Sequence, residues 1–168
     1  MDDCLEWLFG CRKVFPKLDK LSIRAEYKKM SYKKLGYVKG LIFQKEEIDP
    51  EVLLLEGVVK KKRKKKLRGN FTVFINENFK KVKKKNVRKQ VVQSIMVHEL
   101  MHIEQKDLLT LSKNYKKRKR KKIHVKDFEQ EVFDRYNQLR KLKGMTIIGS
   151  KEDLDIVVGN VFEKVEMK

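Results

Sequence analysis

Residues 97–102 read Val-His-Glu-Leu-Met-His and contain the pattern His-Glu-x-x-His. On a helix, residues four apart differ by about 40° in rotation and lie one turn apart in height, so the imidazoles of His98 and His102 can point toward one centre. A zinc ion suits such a pair. Glu99 follows the first histidine, where its carboxylate can take a proton from the water that the metal activates. The pattern therefore predicts a helix that carries a hydrolytic zinc site.

The residues around this motif predict an amphipathic helix. Apolar side chains recur at steps of three and four on both sides of it, at Val87, Val91, Val92, Ile95, Met96, Leu100 and Ile103. Asn86 precedes the repeat and is the predicted N-cap. The alternative is that two unrelated histidines share a helix face. The chain has only three histidines, and two of them lie in this motif, which favours the zinc site.

A catalytic zinc usually has three protein ligands and leaves the fourth position to water, so a later segment must supply the third ligand. His124 is the first candidate, and Glu129 and Glu131 are its rivals. These two glutamates point to different sides of a helix, so at most one of them faces the metal. Tyr115, in the connection that precedes His124, is a candidate donor to the oxyanion.

The bulk composition indicates one strongly basic domain. A chain of 168 residues can build one hydrophobic core but is short for two domains. Lys and Arg outnumber Asp and Glu by 43 to 23, and ion-pair networks cannot balance the resulting net charge of +20. Such a surface predicts a polyanionic partner such as DNA. Three basic runs are candidate contacts, or else targeting or solubilising segments: 60–66, 80–89 and 116–122.

The remaining composition indicates an intracellular protein. Cys4 and Cys11 lie about 10 Å apart if the N-terminal stretch is helical, which is too far for a disulfide and predicts free, buried thiols in a reducing compartment. No apolar run approaches the length of a membrane span, and the first residues are acidic where a signal peptide is basic. We therefore expect a soluble cytoplasmic protein with no membrane partner.

The first half of the chain predicts a short helix followed by strands. The helix ends before Pro16. Apolar and polar residues then alternate, or short apolar runs occur, in four candidate strands: 21–27, 37–44, 52–59 and 71–75. The run 60–66 is interpreted as a long hairpin connection that projects into solvent. Strand 71–75 is either the edge strand that holds an extended substrate or an ordinary core strand.

The second half predicts three helices. The motif helix is followed by a second helix with apolar residues at helical spacing, which ends at Gly144. Ser150 and Asp153 resemble a capping box, and a last amphipathic helix carries one stripe formed by Leu154, Val157, Val158, Val161, Phe162 and Val165. The predicted fold class is α+β, a small zincin-like domain with a three- to four-stranded sheet packed on the motif helix. This single domain, 1–168, comprises a sheet region 16–76, a motif core 71–143 and a C-terminal helix 150–167.

Three segments together resemble the SprT-like (Spartan) and related WLM metallopeptidases. These segments are Val-Phe-Ile-Asn-Glu-Asn-Phe at 73–79, His-Glu-Leu-Met-His at 98–102, and His124 followed by Asp127 and Phe128. The resemblance covers 71–140 and departs at Val125, where the family usually has Gly. It implies a zinc peptidase in which His98, His102 and His124 bind Zn²⁺, Glu99 is the general base and acid, and Phe128 is a packing residue that fixes the second helix. It further implies action on DNA-associated proteins.

A second resemblance is to the compact peptidases called minigluzincins, which share the first motif. That resemblance implies a glutamate as third ligand, either Glu129 or Glu131. Two other interpretations stay open. In the first, the chain is a basic nucleic-acid-binding module with a structural or vestigial zinc site. In the second, it is a latent peptidase whose own terminal segment blocks the cleft.

Overall fold

A computed structural model describes residues 3–31, 33–47, 64–105 and 127–166. The described chain contains four α-helices and three β-strands, which confirms the predicted α+β class. The elements in chain order are α1 (Asp3–Arg12), β1 (Ser22–Lys28), β2 (Gly36–Glu47), β3 (Lys64–Asn76), α2 (Lys85–Gln105), α3 (Phe128–Leu142) and α4 (Lys151–Glu166). Short 3₁₀ turns occur at Pro16–Leu18 and Glu77–Lys81.

The three strands form a mixed sheet in the order β1-β3-β2. β1 is parallel to β3, with Ser22 opposite Asn70, and β2 is antiparallel to β3, with Gly36 opposite Ile75. Successive side chains of a strand point to opposite faces of a sheet. The inner face carries the buried residues of this alternation, Ile23, Ala25, Val38, Phe71, Val73 and Ile75. This face packs against α2, so only one face of the sheet contributes to the core.

The sheet order corrects the prediction that 71–75 is an edge strand. These residues lie in β3, which is paired with β1 on one side and with β2 on the other. Their backbone groups are therefore occupied within the sheet and cannot pair with a substrate. The segment is the core strand that was the alternative interpretation. Among the described strands, β1 and β2 are the edges.

Two further boundaries differ from the prediction, and one candidate strand falls outside the described residues. Residues 64–66 belong to β3 and pair with β2, so this part of the run 60–66 is strand and not connection. The motif helix begins at Lys85, and the amide of Arg88 already donates to the carbonyl of Lys84, so Asn86 lies inside the first turn and is not the N-cap. Candidate strand 52–59 and residues 60–63 lie outside the described residues.

The N-terminal helix closes the core, as its apolar pattern predicts. Trp7 and Leu8 of α1 are fully buried, and so are Cys4 and Cys11, neither of which forms a disulfide. Burial raises the pKa of the Cys11 thiol to about 12. Charging this thiol in the core would cost its hydration, so Cys11 stays protonated at neutral pH. The prediction of buried thiols without a disulfide is confirmed.

Helix α2 runs through the centre of the molecule, and α3 packs along it. Every residue from Val91 to Val97 is buried. The hydroxyl of Tyr136 in α3 donates to the carbonyl of Gln90 at 2.9 Å, and the guanidinium of Arg135 pairs with Glu104 at 3.1 Å. These contacts join the two helices at both ends of the motif.

The ends of α3 and α4 follow the sequence closely. Gly144 adopts a φ of 65°. Its amide donates to the carbonyl of Lys141, and the amide of Met145 donates to the carbonyl of Arg140. These two hydrogen bonds form a Schellman motif. The predicted stop at Gly144 is thus confirmed. The hydroxyl of Ser150 accepts from the amide of Asp153 at 3.1 Å, as the predicted capping box requires.

Helix α4 packs by part of its predicted stripe. Leu154 and Phe162 are buried, and the Phe162 ring lies 5.3 Å from that of Phe79. Val157, which the stripe included, is 46% exposed and faces solvent instead. None of the described helices combines the length and the apolar character needed to cross a bilayer.

Candidate metal centre

The motif helix brings the two histidines together as the spacing predicts. Nε2 of His98 and Nε2 of His102 lie 3.2 Å apart, and the ring centroids are 4.9 Å apart. His102 is buried, whereas the side chain of His98 is 28% exposed. The pair is therefore anchored in the core on one side and accessible on the other.

The separation of the two nitrogens suits zinc. Two Zn–N bonds of about 2.0–2.1 Å that meet at a tetrahedral angle place their nitrogens about 3.3 Å apart. The observed 3.2 Å agrees with this distance. The same separation allows one protonated ring to donate an N–H···N bond to the other. The backbone thus holds both rings in a converging arrangement that a metal ion can use without a large movement.

Phe128, the first residue of α3, packs on both imidazoles. Its ring stacks on His102 with centroids 4.6 Å apart and meets His98 edge-on at 5.1 Å. Phe128 is buried, as expected for a residue that fixes α3 on the motif helix. Asp127, just before it, adopts a φ of 71°, a conformation that Asp tolerates better than most residues. This turn directs the chain into α3 at the histidine pair.

The candidates for the third zinc ligand differ in how close they lie to the histidine pair. His124 and Tyr115 lie outside the described residues, so both assignments stay predictions. Oε2 of Glu129 lies 4.0 Å from Nδ1 of His98, the ring nitrogen that does not face His102. Glu131 is exposed and accepts a hydrogen bond from Gln105. Of the two glutamates, Glu129 is the one beside the histidine pair.

No group of three or more His, Cys, Asp and Glu within the described ranges is arranged to hold a metal ion. The described residues thus supply two converging imidazoles, with the carboxylate of Glu129 close to the outer nitrogen of His98. A metal ligating Nε2 of His98 leaves the proton on Nδ1, where a neighbouring carboxylate orients the ring and makes it a better donor. The position of Glu129 suits this supporting role.

A cavity of about 420 Å³ opens beside the motif. His98 and Glu99 line it from α2, Glu129 lines it from α3, and Gly36 lines it from the start of β2. Glu99 is only 7% exposed, so its carboxylate lies in the wall and not on the outer surface. The cavity therefore places the predicted base next to an accessible imidazole, with room for a substrate segment.

Neither a family model nor a curated protein nor a solved structure matches this chain. The SprT-like and minigluzincin resemblances thus remain predictions from the motifs.

Asn76 holds the turn beside the cavity, and the sequence alone does not identify it as a functional residue. It is fully buried at the end of β3, and its amide nitrogen donates to the carbonyls of Ser31, at 3.2 Å, and Lys34, at 2.8 Å. Its side-chain oxygen accepts from the amide of Asn78 at 3.1 Å. Asn76 thus fixes the turn that carries Lys34 to the cavity wall. An Asn at the end of an apolar run, with a turn after it, is the pattern that indicates such a role.

Gly36 allows β2 to approach the motif helix closely. A Cβ atom at this position would lie 2.7 Å from Cγ2 of Ile95 and 2.9 Å from the carbonyl oxygen of Phe74. The second contact is with backbone and cannot be relieved by a side-chain rotation. Glycine therefore sets the distance between the edge strand and α2 at the cavity.

The basic run 80–89 is partly engaged within the protein. Lys85 and Arg88 each pair with Asp3 of α1 at 3.1 Å, and Lys89 pairs with Glu6 at 3.6 Å. The hydrogen bond from Lys85 lowers the pKa of Asp3. These three cations tie α1 to α2, which makes them poorer candidates for polyanion contacts than the sequence predicts. Run 116–122 lies outside the described residues.

Proposed function

We propose that this chain is a zinc-dependent endopeptidase. The observation that carries the proposal is the convergence of His98 and His102, with Nε2 atoms 3.2 Å apart, beside Glu99 in the cavity wall. Two imidazoles and a neighbouring buried carboxylate are the groups that hydrolysis by activated water needs. His124 is the proposed third ligand, with Glu129 or Glu131 as the alternative.

Each residue of the motif has a distinct role in this proposal. A zinc ion held by the imidazoles supplies a Lewis acid that polarises a carbonyl and lowers the pKa of water toward neutrality. The histidines bind the metal in their neutral form, and Phe128 keeps their rings from turning away. Glu99 accepts a proton from water and later delivers it to the leaving amine. Because Glu99 lies in the wall of the cavity, its carboxylate is screened little by solvent.

The edge of β2 is the proposed site for an extended substrate. Among the described strands β2 is an edge, and its first residue, Gly36, lines the cavity. An edge strand offers unpaired backbone groups that an extended peptide can join. A peptide paired there would pass His98 and Glu99. This assignment replaces strand 71–75, which lies in the centre of the sheet.

The proposal is tested by hydrolysis of casein with the zinc-loaded chain at neutral pH. We expect slow cleavage that 1,10-phenanthroline abolishes and added Zn²⁺ restores, because apo protein lacks the Lewis acid. Casein is unfolded and presents extended segments to the edge of β2. Cleavage that persists in chelator after full metal removal would show that the activity does not come from this site.

A basic binding module with a structural zinc is the competing proposal. Structural zinc sites usually have four protein ligands, and they need no neighbouring carboxylate. The position of Glu99 in a cavity wall favours the enzyme. A polyanionic partner is compatible with both, since the net charge is +20. We therefore include DNA-associated proteins among the proposed substrates.

Helix α4 gives specific support to the proposal of a latent peptidase. Leu154, Asp155 and Val158 line the same cavity as His98 and Glu99. A helix in that position narrows the space into which a substrate must enter. Basal activity of the full chain would then be limited by the departure of α4, as with a lid.

Truncation after Gly149 tests this latency. We expect the truncated chain to cleave casein severalfold faster per bound zinc, with α-helical content otherwise retained by circular dichroism. The control is full-length Ile156→Ala, which removes an exposed side chain that lies outside the cavity lining. A folded, zinc-bound truncation with unchanged or lower activity would contradict latency.

A further inference from the structure

The face of the sheet that points away from the helices carries an aromatic pair among lysines. Tyr37 of β2 and Phe74 of β3 are opposite each other in the register, and their rings stack with centroids 4.7 Å apart and planes 26° apart. The neighbours of Tyr37 and Phe74 along their strands, such as Val38 and Val73, point inward and are buried. The pair therefore belongs to the opposite face, named here the outer sheet face, with Arg24, Glu26, Lys28 and Lys39.

Lysine side chains lie over both rings of this aromatic pair. Nζ of Lys28 lies 4.6 Å from the centroid of Phe74, and Nζ of Lys34 lies 4.1 Å from the centroid of Tyr37. Nζ of Lys28 also lies 5.8 Å from the centroid of Tyr37, so this ammonium lies beside the stacked rings, close to both of them. Within the described chain neither of these two lysines forms an ion pair with a carboxylate. Glu26 is the one acidic side chain described on this face, against three basic residues on the face, Arg24, Lys28 and Lys39, and Lys34 in the adjoining turn.

We infer that the outer sheet face binds single-stranded nucleic acid. A nucleobase stacks on an aromatic ring, and the ammonium now above that ring moves to the adjacent phosphate. Both lysines are exposed and long enough to make this exchange, and a cation–π contact at an exposed site is weak compared with stacking of a base. Duplex bases are already stacked and cannot use the rings, so the arrangement selects unpaired strands.

The location of this face relates it to the candidate active site. Lys34 lies over Tyr37 and also lines the cavity beside His98. A nucleic-acid strand bound on the outer sheet face would therefore lie next to the cavity. A protein attached to that nucleic acid would be presented there. Binding itself needs neither zinc nor Glu99. The inference thus stands without the proposed peptidase activity, and a binding measurement tests it alone.

Fluorescence anisotropy measures the affinity of the full chain for a labelled oligonucleotide, (dT)20. The salt concentration is fixed at about 150 mM, because such affinities depend on ionic strength. We expect the double variant Tyr37→Leu/Phe74→Leu to bind at least about tenfold more weakly than wild type, although its charge is unchanged. Lys28→Gln/Lys34→Gln should lose more affinity than its matched control Lys13→Gln/Lys17→Gln, which removes the same charge from exposed positions elsewhere. (rU)20 should also bind, since stacking does not require deoxyribose. Equal binding by wild type and the leucine variant would overturn the inference.

A second measurement needs no variant. An abasic 20-mer has the phosphates of (dT)20 without the bases, and a 20-base-pair duplex has a higher charge density with its bases occupied. We expect wild type to bind both at least about tenfold more weakly than (dT)20. If either competitor binds as tightly as (dT)20, the attraction is to phosphate charge alone and the aromatic pair has no role.

Discussion

Glu99→Gln is expected to leave zinc bound and to reduce casein cleavage by about 10²–10⁴-fold, mainly in kcat, which is the usual range for removal of a general acid–base group. The amide has nearly the shape of the carboxylate but cannot accept the proton of water. Glu99 is buried and lies in the cavity wall beside His98. Bulk water therefore cannot replace its carboxylate as the proton acceptor. Zinc content per chain and the rate of cleavage are measured on the same sample.

The control for this variant is Glu6→Gln. Glu6 is exposed on α1 and pairs only with Lys89 among the contacts described, and loss of an exposed ion pair costs little. It removes the same charge far from the cavity and should keep wild-type activity. A Glu99→Gln enzyme that cleaves at the wild-type rate with its zinc in place would remove Glu99 from the mechanism.

Loss of either motif histidine is expected to abolish stable zinc binding. His98→Gln and His102→Gln should each weaken zinc affinity by more than about 100-fold, since even groups that only support a ligand cost 10–100-fold. Glutamine keeps a polar side chain of similar volume under Phe128, so the fold is disturbed less than by alanine. Competition with a chromophoric chelator measures the affinity.

The same titration ranks the three candidates for the remaining ligand. His124→Gln should match the motif histidines, and Glu129→Gln should lose about 10–100-fold because its carboxylate approaches Nδ1 of His98. Glu131→Gln, whose side chain is exposed and bonded to Gln105, should bind zinc as wild type does. A large loss for Glu129→Gln together with none for His124→Gln would assign the third ligand to the glutamate instead.

Local features of the fold were predictable because they depend on short-range rules. The spacing of apolar residues predicted α2, α3 and α4. Gly144 marked the end of α3 and Ser150 the start of α4, because the hydrogen bonds at these helix ends are local. The convergence of His98 and His102 was equally predictable, since two residues of one helix share its geometry.

Features that depend on distant segments were not predictable. The alternation in β1 is the same whether its neighbour is β2 or β3, so the pattern could not place β3 in the centre of the sheet. The basic composition of residues 64–66 is typical of a solvated loop. Their backbone nevertheless pairs with β2 and so belongs to the sheet. The choice between Glu129 and Glu131 depends on how α3 is rotated against α2, which Phe128 and Arg135 fix by tertiary contacts.

Diffraction from zinc-loaded crystals above and below the zinc absorption edge tests the central claim most directly. We predict one strong anomalous peak within about 2.0–2.1 Å of Nε2 of both His98 and His102. The density around that peak would also identify the third ligand. A peak elsewhere on the chain, or none between the two imidazoles at saturating zinc, would contradict the proposed metal centre.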